Sequence, residues 1–254
     1  MSTPTGYVLY RGPSMLDGSP IVVVATGFAR RSKNAKTGDM VQTYILVDGP
    51  DPVTAARTGA DGAVCGDCKQ RPANGGACYV TLIHGPLAVH KGLQRGIYPA
   101  VTSIPEAQSL GAGRMVRLGT YGDPAAVPMG VWEHLTARAA GRTGYSHQWR
   151  NGDLSHAHLD TLRRLVMASV DDTEELAYAR QLGWRTFRIR TADQFPERGE
   201  FVCPASEEAG MRTTCAACKA CDGIERGTSK ASPVIIIHGG KARRFIPLMQ
   251  LSQN

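Results

Sequence analysis

The sequence predicts an α/β fold, a full or partial (β/α) barrel entered through an N-terminal β-hairpin, with a doubly wound open sheet as the alternative. Three observations predict it. Strand-like apolar runs alternate with helix signals from residue 114 to residue 238, which is the spacing of βαβ units around a parallel sheet. Several helical segments open on residues that cap helix N-termini. The strand-like runs end in polar residues followed by Gly or Pro, as ligand-binding loops at the C-terminal ends of parallel strands do. Residues 1–254 are expected to form a single α/β domain that carries two cysteine-rich loops, 65–78 and 203–221.

The elements follow in order. I-V-V-V-A-T-G-F-A (21–29) and V-Q-T-Y-I-L-V-D (41–48) read as strands, joined as a hairpin by a long basic tip containing Asn34 and Gly38. D-P-V-T-A-A-R (51–57) opens as a short helix, with Asp51 as N-cap and Pro52 at the first position. C-Y-V-T-L-I-H (78–84) and R-M-V-R-L-G-T-Y (114–121) read as strands. A helix over 131–140 is ended by Gly141, a strand covers 143–149, and Ser155 caps a helix over 156–165. V-M-A-S-V-D (166–171) is a strand. In the helix that follows (173–182), Asp172 is the N-cap and Glu175 closes a capping box, before Gly183 ends it. W-R-T-F-R-I-R (184–190) and P-V-I-I-I-H (233–238) supply two further strands.

Composition narrows the class. A hydrophobic content of 42% excludes disorder, and no apolar run approaches the roughly 20 residues needed to span a bilayer. The N-terminal M-S-T-P-T-G-Y has neither the basic nor the apolar region of a signal peptide. The expectation is a cytoplasmic protein with reduced cysteines and no membrane partner. A net charge of +7 is compatible with nucleic acid as a partner, but the basic residues are spread out, with short clumps at Arg30-Arg31, Arg163-Arg164 and Lys241–Arg244. Phosphate-loop, dinucleotide-binding and nucleophile-elbow motifs are absent.

The seven cysteines divide into a group of three and a group of four. Cys65, Cys68 and Cys78 lie in C-x2-C-x9-C, and Cys203, Cys215, Cys218 and Cys221 place one remote cysteine before a C-x2-C-x2-C run. An odd number cannot all pair as disulfides, and C-x-x-C in a reducing compartment favours metal. Tetrahedral zinc and cubane iron–sulfur sites both take four ligands, so four cysteines close a site and three leave one position open. The run of three cysteines is the ferredoxin arrangement and tilts the C-terminal group toward a [4Fe–4S] cluster. Zinc is the alternative, with His84 or His90 as a fourth ligand for the first group.

Polar residues at the strand ends form a second constellation: His84, Gly119–Pro124, His147 with Gln148 and Trp149, Ser169 with Asp171 and Asp172, Cys203, and His238. Together they suggest one pocket mouth, and His147 and Asp171 are the catalytic candidates in it. His156 and His158 lie two apart on a helix and read as a solvated face. Trp132, Trp149 and Trp184 read as core or pocket walls.

C-x2-C-x9-C-Y, then G-T-Y-G-D-P after a strand, then S-V-D at a later strand end, resembles the radical SAM superfamily. Most of the chain also resembles a family of uncharacterised cysteine-rich proteins encoded by bacteriophages and plasmids. The first resemblance implies that Cys65, Cys68 and Cys78 hold an open [4Fe–4S] cluster whose free iron chelates S-adenosylmethionine. It implies that Gly119, Gly122 and Asp123 form the turn that takes the cofactor's amino group, that Asp171 matches an S-x-D strand end, and that the four C-terminal cysteines hold an auxiliary cluster. The substrate stays unknown. The sequence departs from the superfamily's usual C-x3-C-x2-C spacing, and it has Gly-Asp-Pro where Gly-Glu-Pro is common.

Overall fold

A computed structural model describes residues 3–30, 34–225, 227 and 230–245. The chain begins with an antiparallel meander. β1 (Gly6–Pro13) pairs with β2 (Pro20–Thr26), and β2 pairs with β3 (Val41–Val47). The I-V-V-V-A core of β2 is buried on both faces, which is why it reads as a continuous apolar run with no alternation. The expected hairpin is therefore present. β1 was not expected, because its glycines, Arg11 and terminal Pro13 weaken the strand signal; it is a half-buried edge strand with a register shift between Val8 and Tyr10.

Five connected segments follow β3 before the next strand. They are α1 (Pro52–Thr58), α2 (Gly62–Cys65), the first cysteine loop, α3 (Gly85–Gln94) and α4 (Ile104–Gly111). From there β4 (Met115–Tyr121), α5 (Met129–Thr136), β5 (Gly141–Ser146), α6 (His156–Leu165), β6 (Met167–Val170), α7 (Thr173–Gln181) and β7 (Thr186–Arg190) alternate. β8 (Glu200–Val202), α8 (Cys215–Cys218) and β9 (Ser232–Ile236) follow, and a short 3-10 turn over Ala242–Arg244 ends the described elements.

Caps act as the sequence indicates. The Asp51 carboxylate accepts from the N–H groups of Val53 and Thr54 at 2.9 and 3.2 Å. Ser155 accepts from His158 N–H at 3.2 Å, and Asp172 from Glu175 N–H at 2.7 Å. Glu175 reaches back one residue further than a standard capping box, to the N–H of Asp171.

All nine strands form one sheet, in the order β1-β2-β3-β4-β5-β6-β7-β9-β8, parallel from β3 onward. Among the described residues the sheet is not closed, since β1 and β8 are its two edges, and the strands do not complete a full barrel. Nor does the order reverse between β3 and β7, as a doubly wound sheet requires. Strands added in one direction by crossovers of one hand place their helices on one face. Accordingly Val116, Leu118, Ala168 and Val170 pack with Trp132 and Leu135 of α5, Leu162 and Leu165 of α6, and Leu176 and Ala179 of α7. The alternate residues (Arg117, Tyr145, Phe187 and Ile235 among them) point to the other face and line a cavity. Among the described residues no helix is long and apolar enough to cross a membrane.

One expected strand does not form. Cys78–His84 pairs with no neighbour and ends in a turn before α3. Both edges of β3 are already taken, by β2 and β4, so the β-prone side chains of this segment pack on the cavity wall instead. His84 is thus the N-cap residue of α3 and not a strand end.

Candidate functional site

The first cysteine loop is built by hydrogen bonds that return the chain on itself. Cys65 closes α2, and Gly66 follows with φ 58°, a left-handed conformation natural to glycine. A Cβ there would lie 2.4 Å from Cδ of Gln148. The fully buried Gln148 amide donates to the Cys65 carbonyl and the Asp67 carboxylate. Arg71 staples the loop, donating to Asp61 at 2.5 Å and to the carbonyls of Gly59 and Gly66. The nine residues between Cys68 and Cys78 turn through Pro72–Asn74. Asn74 donates to the Cys68 carbonyl, and Cys78 N–H donates to Gln70 O at 2.8 Å. The long interval is therefore a closed loop whose ends meet, which brings the third cysteine back to the first two.

The C-terminal group is assembled from three places. Cys203 follows β8, its N–H bonded to Val234 O at 2.9 Å. Cys215 and Cys218 are the two ends of α8, which Thr214 caps. This single turn docks on the basic β2–β3 connection: Cys215 N–H donates to Lys36 O at 2.9 Å and Ala216 N–H to Thr37 O at 3.0 Å. The Cys221 carbonyl accepts from Gly144 N–H in β5.

All seven cysteines are free and all seven line one cavity of about 560 Å³, a volume within the roughly 300–1,000 Å³ of small-molecule sites. The sulfurs act on one another in the two groups read from the sequence: Cys65 with Cys68 and Cys78, and Cys221 with Cys203, Cys215 and Cys218. Burial, reinforced by the neighbouring sulfurs, pushes the thiols of Cys65, Cys78, Cys203 and Cys221 up. Cys215 is also pushed up by burial, against the opposing pull of Arg117 and Lys36. Among the described residues no three Cys, His, Asp or Glu side chains are spaced to hold a metal ion. Sets of three and four thiols are the donor type that suits a thiophilic metal, which would have to displace their protons on binding.

The G-T-Y-G-D-P turn stands beside the first loop. Asp123 N–H donates to Val64 O, one residue before Cys65, at 2.6 Å. Gly122 has φ 80°, and a Cβ there would meet Ile45 Cβ at 2.7 Å; the turn is packed closely against β3. Gly119 N–H donates to Thr43 Oγ1 at 2.9 Å. Gly119, Gly122 and Asp123 all line the cavity with Cys65. The Asp123 carboxylate is buried and already accepts from Ala125 N–H, Ser146 Oγ–H and His147 N–H at 2.7–3.0 Å. Its burial pushes its pKa up, against these bonds. It ties the end of β4 to the end of β5. Asp123→Ala is therefore expected to cost stability before any effect on a ligand, about 1–3 kcal/mol for each donor left without water. Asp123→Asn keeps one acceptor and should recover part of that loss in a denaturant titration.

His147 lines the same cavity, and Asp171 lines a small cleft behind it together with His147, Cys68 and Ser169. Burial works against a charged His147, but the Cys68 sulfur and the carboxylates of Asp171 and Asp123 outweigh it and raise its pKa to about 10. His147 Nε2 and Asp171 Oδ1 are both buried without a hydrogen-bond partner. Asp171 is also held by Lys69 and by Gln70. His84 and His238 reach the cavity, whereas His90 is on α3 with Nε2 3.2 Å from Gly49 O and does not line it. His158 is not on a solvated face. It is buried, with Nε2 3.0 Å from Ala125 O, and burial lowers its pKa. The three tryptophans are buried as expected.

The sequence reading missed Arg117 and Lys36. Arg117 is 8% exposed, donates from Nη2 to Tyr79 OH at 2.9 Å and lies 5.6 Å over the Tyr145 ring. The signal was present: a lone arginine interrupts M-V-R-L, an otherwise apolar strand. Lys36 sits in the hairpin tip that had been read only as basic. Compared with family models, with curated proteins and with solved structures, this chain matches none of them.

Proposed function

We propose that this protein is an iron–sulfur enzyme of radical-SAM-like design. Cys65, Cys68 and Cys78 hold an open cluster, and Cys203, Cys215, Cys218 and Cys221 hold an auxiliary one. A single observation carries the reading: all seven cysteines, in their three-plus-four division, line one cavity on the face of the sheet opposite α5, α6 and α7, together with the Gly119–Asp123 turn at the end of β4. A [4Fe–4S] cluster bound at the first group would supply the electron that cleaves the sulfonium of S-adenosylmethionine. The chain's own part is positional. The closed loop from Cys68 to Cys78 holds the three sulfurs together, and the turn after β4 offers backbone groups beside them. The surrounding walls limit water at the reacting centre.

Zinc is a second reading, and His147 favours it: a half-buried imidazole that interacts with the Cys68 sulfur and has a buried, unpartnered Nε2 would complete a Cys3His set. In that case the protein is a binding module, with nucleic acid as its candidate partner. Anaerobic purification followed by iron, zinc and acid-labile sulfide analysis separates the two. The enzyme reading expects iron and sulfide in matching amounts, and release of 5′-deoxyadenosine from S-adenosylmethionine on reduction. Stoichiometric zinc without sulfide, or no cleavage by fully cluster-loaded protein, overturns it.

A further inference from the structure

We propose that Lys36, Tyr79, Arg117 and His238 form an oxyanion-binding subsite in the cavity, which takes a phosphate or carboxylate group of the molecule bound there. The four residues come from the hairpin tip, the segment just after the first cysteine loop, β4 and the segment after β9, and all of them line the same cavity. They form a connected row. Arg117 Nη2 donates to Tyr79 OH at 2.9 Å. The Tyr79 ring stacks on His238, with centroids 6.3 Å apart and planes 28° apart. His238 Nε2 lies 3.1 Å from Lys36 Nζ, and His238 Nδ1 lies 3.0 Å from Ile236 O. Those two contacts fit one neutral tautomer, in which Nδ1–H donates to the carbonyl and Nε2 accepts from the ammonium.

The row therefore carries a guanidinium and an amine, whose pKa burial lowers, and no carboxylate. Among the described residues, neither Arg117 nor Lys36 has an acidic side chain within ion-pair distance. The other cavity arginine, Arg71, is already matched by Asp61. Arg117 uses one of its five N–H donors on Tyr79. A guanidinium 92% removed from solvent is costly to leave uncompensated, and its planar fork suits the paired oxygens of phosphate or carboxylate. Tyr79 and His238 are exposed while Arg117 is buried, so the row runs from solvent into the cavity and gives an anion a path inward. Burial holds the nearby thiols toward the neutral form, and the groups that act on these cations are Glu207 and the sulfurs of Cys203 and Cys215 on Lys36, and Tyr79, Tyr145 and the sulfurs of Cys215 and Cys221 on Arg117.

That last fact sets the test. Wild-type protein, purified anaerobically with whatever metal it holds, is titrated calorimetrically with inorganic phosphate and, in parallel, with acetate. Saturable binding of at least one is expected, and the stronger of the two names the source of the oxyanion. Arg117→Gln should weaken it about tenfold or more, the loss of one charge-assisted bond. Lys36→Gln, at a half-buried hairpin position, should do the same if the arginine variant folds poorly. No saturable binding of either anion, or unchanged binding in both variants, overturns the proposal. So does loss of bound metal from Arg117→Gln, because the cations then serve the C-terminal sulfurs. Metal analysis of the same samples keeps this subsite distinct from the enzyme reading. Arg117-dependent anion binding by metal-free protein leaves the subsite standing alone.

Discussion

Glu200→Ala is expected to destabilise the folded protein by about 3–5 kcal/mol, the cost of leaving a buried charge without its partner. Glu200 opens the edge strand β8, yet its side chain is 0% exposed and that of Arg188 is 1% exposed. Arg188 Nε lies 3.0 and 3.1 Å from the two carboxylate oxygens, and Nη2 lies 2.6 Å from one of them. The same carboxylate accepts from Glu197 N–H, and Arg188 also donates to Phe195 O. One substitution thus leaves a guanidinium buried and frees the 191–200 segment that leads to Cys203. Against a typical total stability of about 5–15 kcal/mol, that is a large fraction. Asp160→Ala is the control. Asp160 is exposed and its partner Arg163, three residues on, is half-buried, so the pair should be worth about 1 kcal/mol or less. Equal shifts in the denaturation midpoint for the two variants would mean that β8 does not pack as described.

Cys221→Ala should cost more stability than Cys68→Ala, and the difference should vanish in metal-free protein. The expectation rests on the metal reading. Where a site is closed, metal affinity is folding free energy, about 10–16 kcal/mol for isolated zinc peptides. In a chain with its own core the share is smaller. At about 2–4 °C per kcal/mol for a domain approaching this size, even a few kcal/mol is a plain shift in Tm. The Cys221 sulfur ties separate regions together, since it interacts with Tyr145 of β5 and with Cys203, Cys215 and Cys218. Cys68 lies in a loop that Arg71, Asn74 and Gln148 also hold by hydrogen bonds independent of any sulfur. Cys68→Ala is expected to stay folded and to lose only what the first group binds. Thermal melts of both variants, with and without chelator, decide it. Equal losses would mark both groups as structural.

What the sequence determined by itself was whatever local chemistry controls. Asp51 with Pro52, Ser155, and Asp172 each set a helix start, because a cap needs only its own next three N–H groups. The I-V-V-V-A run of β2 and the alternating strands β4 to β7 followed from periodicity. The three-plus-four division of the cysteines is a reading of their spacing. What only the tertiary structure decided depends on partners distant in the chain. Cys78–His84 has strand propensity, but β3 had no free edge to offer it. The direction in which strands were added, and hence an open sheet instead of a closed barrel, is set by pairings that no local signal encodes. Asp123 reads as a ligand residue, and that its carboxylate accepts from Ala125, Ser146 and His147 depends on how β4 and β5 are brought together. Arg117 and Lys36, separated by eighty-one positions, meet the same cavity only because alternate side chains of a strand face opposite ways and the hairpin tip folds back over the second cysteine group.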